Sequence, residues 1–174
     1  MGRVKSFKVR RDSLTVVTVL FLIVFALFEF AILAAGLLGY LEPLMNLTAE
    51  VAGRLIDLIG IPTIVVGNQI YIASRILQID IDCTAVAIAA LYTAFVIAYP
   101  LPARIRALAL LLGIPVIAIA NQLRLVGVAV ASERLSQSTF VFVHDYLFKI
   151  VMIFVVVALW ATVLQIARGN AKAA

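Results

Sequence analysis

The chain has one cysteine, one histidine and one tryptophan in 174 residues, and only 13% of its residues are charged. A single cysteine cannot form an internal bridge, which excludes a secreted disulfide scaffold. The low charge excludes a disordered tail and falls short of the quarter, roughly, that is usual in globular domains. What is present instead is apolar: 65% of the residues, with a mean hydropathy of +1.17. Globular domains run at about half, so the excess must face lipid, and a soluble enzyme is excluded as well. The natural reading is one membrane-embedded domain over residues 1–174.

A net charge of +5 would suit nucleic acid only if the bases formed one patch that tracks phosphates. They do not, so no nucleic-acid partner is expected. They mark topology instead. Arg3, Lys5, Lys8, Arg10 and Arg11 precede the first apolar run, Arg104 and Arg106 sit in a short break, and Arg168 and Lys172 follow the last run. The positive-inside rule makes these three places cytoplasmic.

Four segments meet the requirement of about 20 apolar residues, with some tolerance, for crossing a bilayer. They are 14–39, 84–99, 105–124 and 145–167. Ser13 is the candidate N-cap of the first. That segment is too long for a cleaved signal peptide, whose apolar region spans about 7 to 15 residues, so it reads as an uncleaved anchor behind a basic cytoplasmic tail, 1–13. Both termini are then cytoplasmic and 40–83 lies outside the cell.

Two elements are legible in that outer stretch. Over 44–59, Leu44, Leu47, Val51, Leu55 and Leu58 form one stripe opposite Asn46, Glu50, Arg54 and Asp57, which predicts an amphipathic helix on the membrane surface. After Pro62 the period changes to two. Ile64-Val65-Val66 and Gln69-Ile70-Tyr71-Ile72 flank Gly67-Asn68, a hairpin signal, and Leu77-Gln78-Ile79-Asp80-Ile81-Asp82 alternates as a half-buried strand. The expected fold is an α-helical integral membrane protein with four transmembrane helices, an amphipathic interfacial helix and a small extracytoplasmic β-hairpin.

This topology places the rare polar residues by depth. Cys83 falls at the outer start of the second span, Asn121 and Arg124 near the outer end of the third, and His144 at the outer start of the fourth. Asn121 and Arg124, three apart, share a helix face. Three helices thus bring a thiol, a guanidinium and an imidazole to one level of the membrane. A thiol's pKa falls at a helix N-terminus and beside a cation, both of which the layout offers Cys83. Arg124 can stabilise a thiolate, or the oxyanion formed when a carbonyl is attacked. His144 can act as base and then as acid to the leaving amine. Together they suit acyl transfer through a thioester, with neither metal nor cofactor.

A plainer account stands beside this one. A lone cysteine in an apolar chain is usually a packing residue, and an arginine near a span's end often snorkels. The protein would then be a non-enzymatic membrane subunit with Arg124, Glu29 and Lys149 as structural polar groups. Glu29, deep in the first span, needs a partner or a proton, and Lys149 of the fourth is the candidate partner. Labelling of Cys83 by a thiol reagent added from outside separates an activated nucleophile from a packed thiol.

Asp82-Cys83-Thr84-Ala85, the apolar run ending in Tyr99-Pro100, Asn121-Gln122-Leu123-Arg124 and Phe142-Val143-His144-Asp145-Tyr146-Leu147 together resemble the exosortase and archaeosortase family, especially its short members. The resemblance runs from about Leu44 to Leu164. It implies a multi-pass plasma-membrane cysteine transpeptidase with an extracytoplasmic active site. Its partners would be exported proteins ending in a short motif, a transmembrane helix and a basic cluster, and an acceptor nucleophile, a lipid among the candidates. The family's proposed catalytic cysteine, arginine and histidine correspond to Cys83, Arg124 and His144. Asn121 matches the asparagine of its Asn-x-x-Arg element, with an inferred orienting role. One departure stands out: the family commonly has a small polar residue and then glycine after the cysteine, where this chain has Thr84 and Ala85.

Overall fold

An apolar run without proline, and without glycine until Gly36, builds α1 (Arg11–Leu37). The computed structural model describes residues 11–72, 75–135, 139 and 147–173. Ser13 lies inside α1 rather than capping it. Gly39, at φ 75°, stops the helix: Tyr40 N–H donates to Ala35 O, and Gly39 N–H to Gly36 O. Only glycine takes that left-handed position without cost.

A helix is present where the amphipathic one is expected, α2 (Glu42–Leu58), with a proline in its first turn. Its packing differs from the expected one. Thr48, Ala49, Ala52, Gly53 and Ile56 are its buried face. The leucine stripe is not buried against the protein, with Leu47 56% and Leu58 80% exposed. At 100° per residue, small residues, leucines and charges occupy three separate sectors of this helix. The small face lets the helix close on the neighbouring sheet. A Cβ added at Gly53 would stand 2.4 Å from a Val65 methyl, so any larger residue there would push the two layers apart.

The expected hairpin and the alternating segment after it join in one sheet. β1 (Thr63–Val66), β2 (Gln69–Ile72) and β3 (Arg75–Gln78) form an antiparallel sheet in the order β1-β2-β3. Gly67, at φ 60°, makes the first turn, which pairs Val66 with Gln69. The strand expected to run to Asp82 ends at Gln78. Asn68 takes over from the ladder, its carbonyl accepting from Ile79 N–H at 2.8 Å and its Nδ2 donating to Ile79 O at 3.1 Å. The chain then tightens into a 3-10 turn, Ile81–Cys83.

Among the described residues, three helices are long and apolar enough to cross a membrane: Leu14–Leu37 of α1, Ala103–Arg134, and Phe148–Gly169. The second of these is α4 (Ala103–Arg134) and the third belongs to α5 (Phe148–Ala173). Between α1 and α4 lies α3 (Val86–Ala98), of 13 residues. At the helical rise it is about 20 Å long, against an apolar bilayer core of about 30 Å, so the expected span over 84–99 is shorter than a full crossing. It packs against α1, α4 and α5, which is why it is apolar on every side. Tyr92, at its centre, donates from its hydroxyl to Ala109 O at 3.0 Å. Its ring fills the space over Gly113, where an added Cβ would come within 2.4 Å.

Pro100 and Pro102 separate α3 from α4. Arg106 Nη2 donates to Tyr99 O and Leu101 O at 3.4 and 3.5 Å, tying the first turn of α4 back to the break between the helices. The expected third span, 105–124, is part of a 32-residue helix that passes through Pro115 and continues ten residues past Arg124. Glu29 and Lys149 do not pair. The one ion pair among the described residues joins Glu50 to Arg54 on the surface of α2. Aromatic rings explain the spacing: Phe95 of α3 stacks on Phe21 of α1 at 4.2 Å and meets Trp160 of α5 at 5.6 Å. With α3 between them, α1 and α5 are held apart.

The buried side chains form two clusters. One lies among α3, α4 and α5, around Tyr92, Val96, Ile117, Met152 and Val156. The other lies where α4 meets α2 and the sheet, around Ala52, Ile56, Ile70, Ile79, Cys83 and Leu125. The cysteine belongs to the second.

Candidate active site

Position along α4 decides where the polar pair stands. Asn121 and Arg124 lie 18 and 21 residues beyond Ala103, about 27 and 32 Å at the helical rise. That is one bilayer core's depth. The next turn of α4, carrying Leu125 and Ala129, joins the cluster of α2 and the sheet. The pair therefore stands at the junction between the long helices and the α2–sheet layer.

Cys83 reaches the same junction from the other side, at the end of the 3-10 turn. Cys83 N–H donates to Asp80 O at 2.9 Å, Thr84 N–H to Ile81 O at 3.0 Å, and Thr84 Oγ1 to Ile81 O at 2.7 Å. These bonds wind residues 80–84 tightly and turn the Cys83 carbonyl toward α4. Asn121 Nδ2 donates to that carbonyl at 2.7 Å. Arg124 Nη1 donates to Asn121 Oδ1 at 3.2 Å and to Asp82 O at 3.4 Å. A guanidinium, a carboxamide and two consecutive carbonyls thus form one chain. All three side chains are deeply buried, with Cys83 and Arg124 6% and Asn121 2% exposed.

Buried polar groups are ordinarily fully hydrogen-bonded, since an unmet donor costs about 1–3 kcal/mol. Arg124 Nε is an exception, being buried without a hydrogen-bond partner among the described residues. Three of the four residues expected at the site are therefore brought together. The fourth, His144, lies outside the described residues. Asp82 turns its side chain to the surface and contributes its backbone carbonyl. No side-chain pattern signals a role of that kind.

Between β3 and α4 is a cavity of about 160 Å³ lined by Ile70, Ile76, Leu77, Gln78, Ile79, Cys83, Leu125 and Val128. Sequence reasoning missed it because its walls come from two strands, a turn and a helix. The only trace was the alternation from Leu77 to Cys83, which correctly separates inward from outward residues.

After the turn the chain enters α3 through Ala85, at φ 61°, the only non-glycine residue with positive φ among those described. A Cβ in that conformation costs roughly 1–2 kcal/mol. This is the position at which the resemblance leads one to expect glycine, and the alanine found there is a source of backbone strain. Ala85→Gly should stabilise the protein by about 0.5–1 kcal/mol, the strain relieved less the added freedom of the unfolded chain. The measurement is a rise in the unfolding temperature of the detergent-solubilised protein.

No curated protein and no solved structure matches the chain. A family profile does, described as transmembrane exosortase, over residues 11–161. That range takes in α1 through most of α5, with Cys83, Asn121 and Arg124 inside it, and the chain belongs to the transmembrane exosortase family.

Proposed function

We propose that the protein is a membrane cysteine transpeptidase that cuts C-terminal sorting signals from exported proteins through a thioester and passes them to an acceptor. The observation that carries this reading is the hydrogen-bonded chain from Arg124 through Asn121 to the Cys83 carbonyl. It fixes a cation's position relative to the one thiol in the sequence.

In the proposed reaction the Cys83 thiolate attacks the scissile carbonyl carbon, and the carbonyl oxygen takes the negative charge. Arg124 stabilises that oxyanion, its Nε being a buried donor without a partner among the described residues. Collapse of the adduct breaks the C–N bond, and His144 delivers the thiol's proton to the departing amine. The acceptor's nucleophile then attacks the thioester, gives its proton through His144, and Cys83 leaves as the thiol. Asn121 is a positioning residue.

The membrane arrangement is part of the proposal. Both termini are cytoplasmic, and α1, α3, α4 and α5 each cross, with α3 sheathed by the others and completed at its ends by the turn at Cys83 and by Tyr99-Pro100. On the outer surface, α2 rests with its small face on protein, its leucines in the interface and its charges in water, which accounts for three distinct sectors on one helix. Ile64, Val66 and Ile76 are exposed on the face of the sheet turned away from α2.

The test is co-expression with a secreted protein ending in a short motif, a transmembrane helix and a basic cluster, followed by mass spectrometry of its new C-terminus. The expected product is shortened at the motif and carries the acceptor's mass. Added hydroxylamine should divert the thioester to a C-terminal hydroxamate, releasing the Cys83 thiol. A substrate that keeps its full signal beside an abundant, folded enzyme overturns the reading.

A further inference from the structure

We infer that the cavity between β3 and α4 is a specificity subsite, which takes an uncharged aliphatic side chain of the substrate next to the bond that is cut. The inference rests on Cys83 as the attacking group. Cys83 forms part of the cavity wall, so whatever fills the cavity is held against the residue that forms the thioester. Arg124, one residue from the lining Leu125, keeps a buried donor without a partner among the described residues. An apolar compartment against the thiol and a buried guanidinium donor with no partner among the described residues are what an acyl group needs: space for its side chain and a charge for its carbonyl oxygen.

The chemistry of the lining selects the occupant. Six of the eight residues are aliphatic, the others are Cys83 and Gln78, and none carries a charge. A carboxylate or ammonium placed there would lose its hydration with no counter-ion in return. Ile70, Leu125 and Val128 are buried and make the floor, whereas Ile76 is exposed and Gln78 lies at the surface, so the mouth is at the outer edge of β3. At about 160 Å³ the space is close to the apolar cavity of about 150 Å³ that accepts benzene. It is sized for a branched aliphatic side chain.

Val128 and Leu125 set that size from α4. The test uses purified full-length protein and the chloromethyl ketones of N-acetylated glycine, leucine, phenylalanine and glutamate, with adduct formation at Cys83 followed by mass spectrometry. In each, the thiolate displaces chloride to form a thioether, so the rate reports the fit of the side chain without requiring turnover. The leucine reagent should react at least roughly tenfold faster than the glutamate one, the discrimination an apolar pocket provides. Val128→Phe should lower the leucine-to-glycine rate ratio by a similar factor, and Leu125→Ala should raise the phenylalanine-to-leucine ratio. Ratios cancel any loss of folded protein, and the enlarging variant decides the matter if the filling one does not fold. Glutamate reacting as fast as leucine, or ratios unmoved by both substitutions, would overturn the subsite. Cys83→Ala should give no adduct at this position. Its processing activity tests the nucleophile separately, so an unselective pocket and a wrong nucleophile give different results.

Discussion

Cys83→Ala should abolish processing of a sorting signal while the protein remains folded in the membrane. Removing the nucleophile of a cooperative catalytic set lowers turnover by roughly 10⁴ to 10⁶. The loss of packing is small by comparison, because one sulfur is deleted at the edge of an existing cavity. The Asn121 bond is made to the Cys83 backbone carbonyl, not to its side chain, so the variant keeps the contact that joins the turn to α4. Cys83→Ser keeps the shape and should be nearly as inactive, because a hydroxyl is much less acidic than a thiol. The measurement is the fraction of substrate retaining its C-terminal signal, compared at equal amounts of membrane-extracted, monodisperse enzyme. Wild-type processing by the alanine variant would leave the cysteine as a packing residue and favour the non-enzymatic account.

Periodicity served the outer layer well where one element met one environment. The charged sector of α2 was legible because Glu50, Arg54 and Asp57 are all exposed. Its other two sectors were not separable, because an exposed leucine and an alanine buried against protein both register simply as apolar. The same ambiguity hid the true length of α4. Ten residues beyond Arg124 continue the helix, but they pack on α2 and the sheet, whereas the earlier turns belong to the long-helix layer. From Leu77 to Cys83, alternation indicated the inward residues, since Ile79 and Cys83 are buried and Asp80 and Asp82 exposed. It could not show that Asn68 replaces a strand partner and that the backbone then coils. That coil is what aims the Cys83 carbonyl at Asn121. Depth alone aligned the thiol with the guanidinium, but the carboxamide that links them depends on a turn with no distinctive residue pattern.

Arg124→Lys tests that link most severely. Lysine keeps the charge but loses the planar fork. One ammonium cannot hold Asn121 Oδ1 and Asp82 O and also present a donor in the direction of Nε. The single-turnover rate should fall by roughly 10² to 10³, the usual cost of losing one oxyanion donor, with little change in substrate affinity. Asn121→Ala leaves the buried Cys83 carbonyl without its donor, so it should cost about 1–3 kcal/mol of stability and also slow the reaction. The two effects have different origins and are separable by normalising the rate to folded protein. If Asn121 acts on chemistry by holding the guanidinium in place, the double variant should react no more slowly per folded molecule than Arg124→Lys alone, although it is less stable than either single variant. Rate losses that multiply would mean that Asn121 acts on the substrate directly. A lysine variant that lowers the unfolding temperature while leaving the rate per folded molecule unchanged would make Arg124 a structural tie between α4 and the Cys83 turn, and the oxyanion would then need another donor.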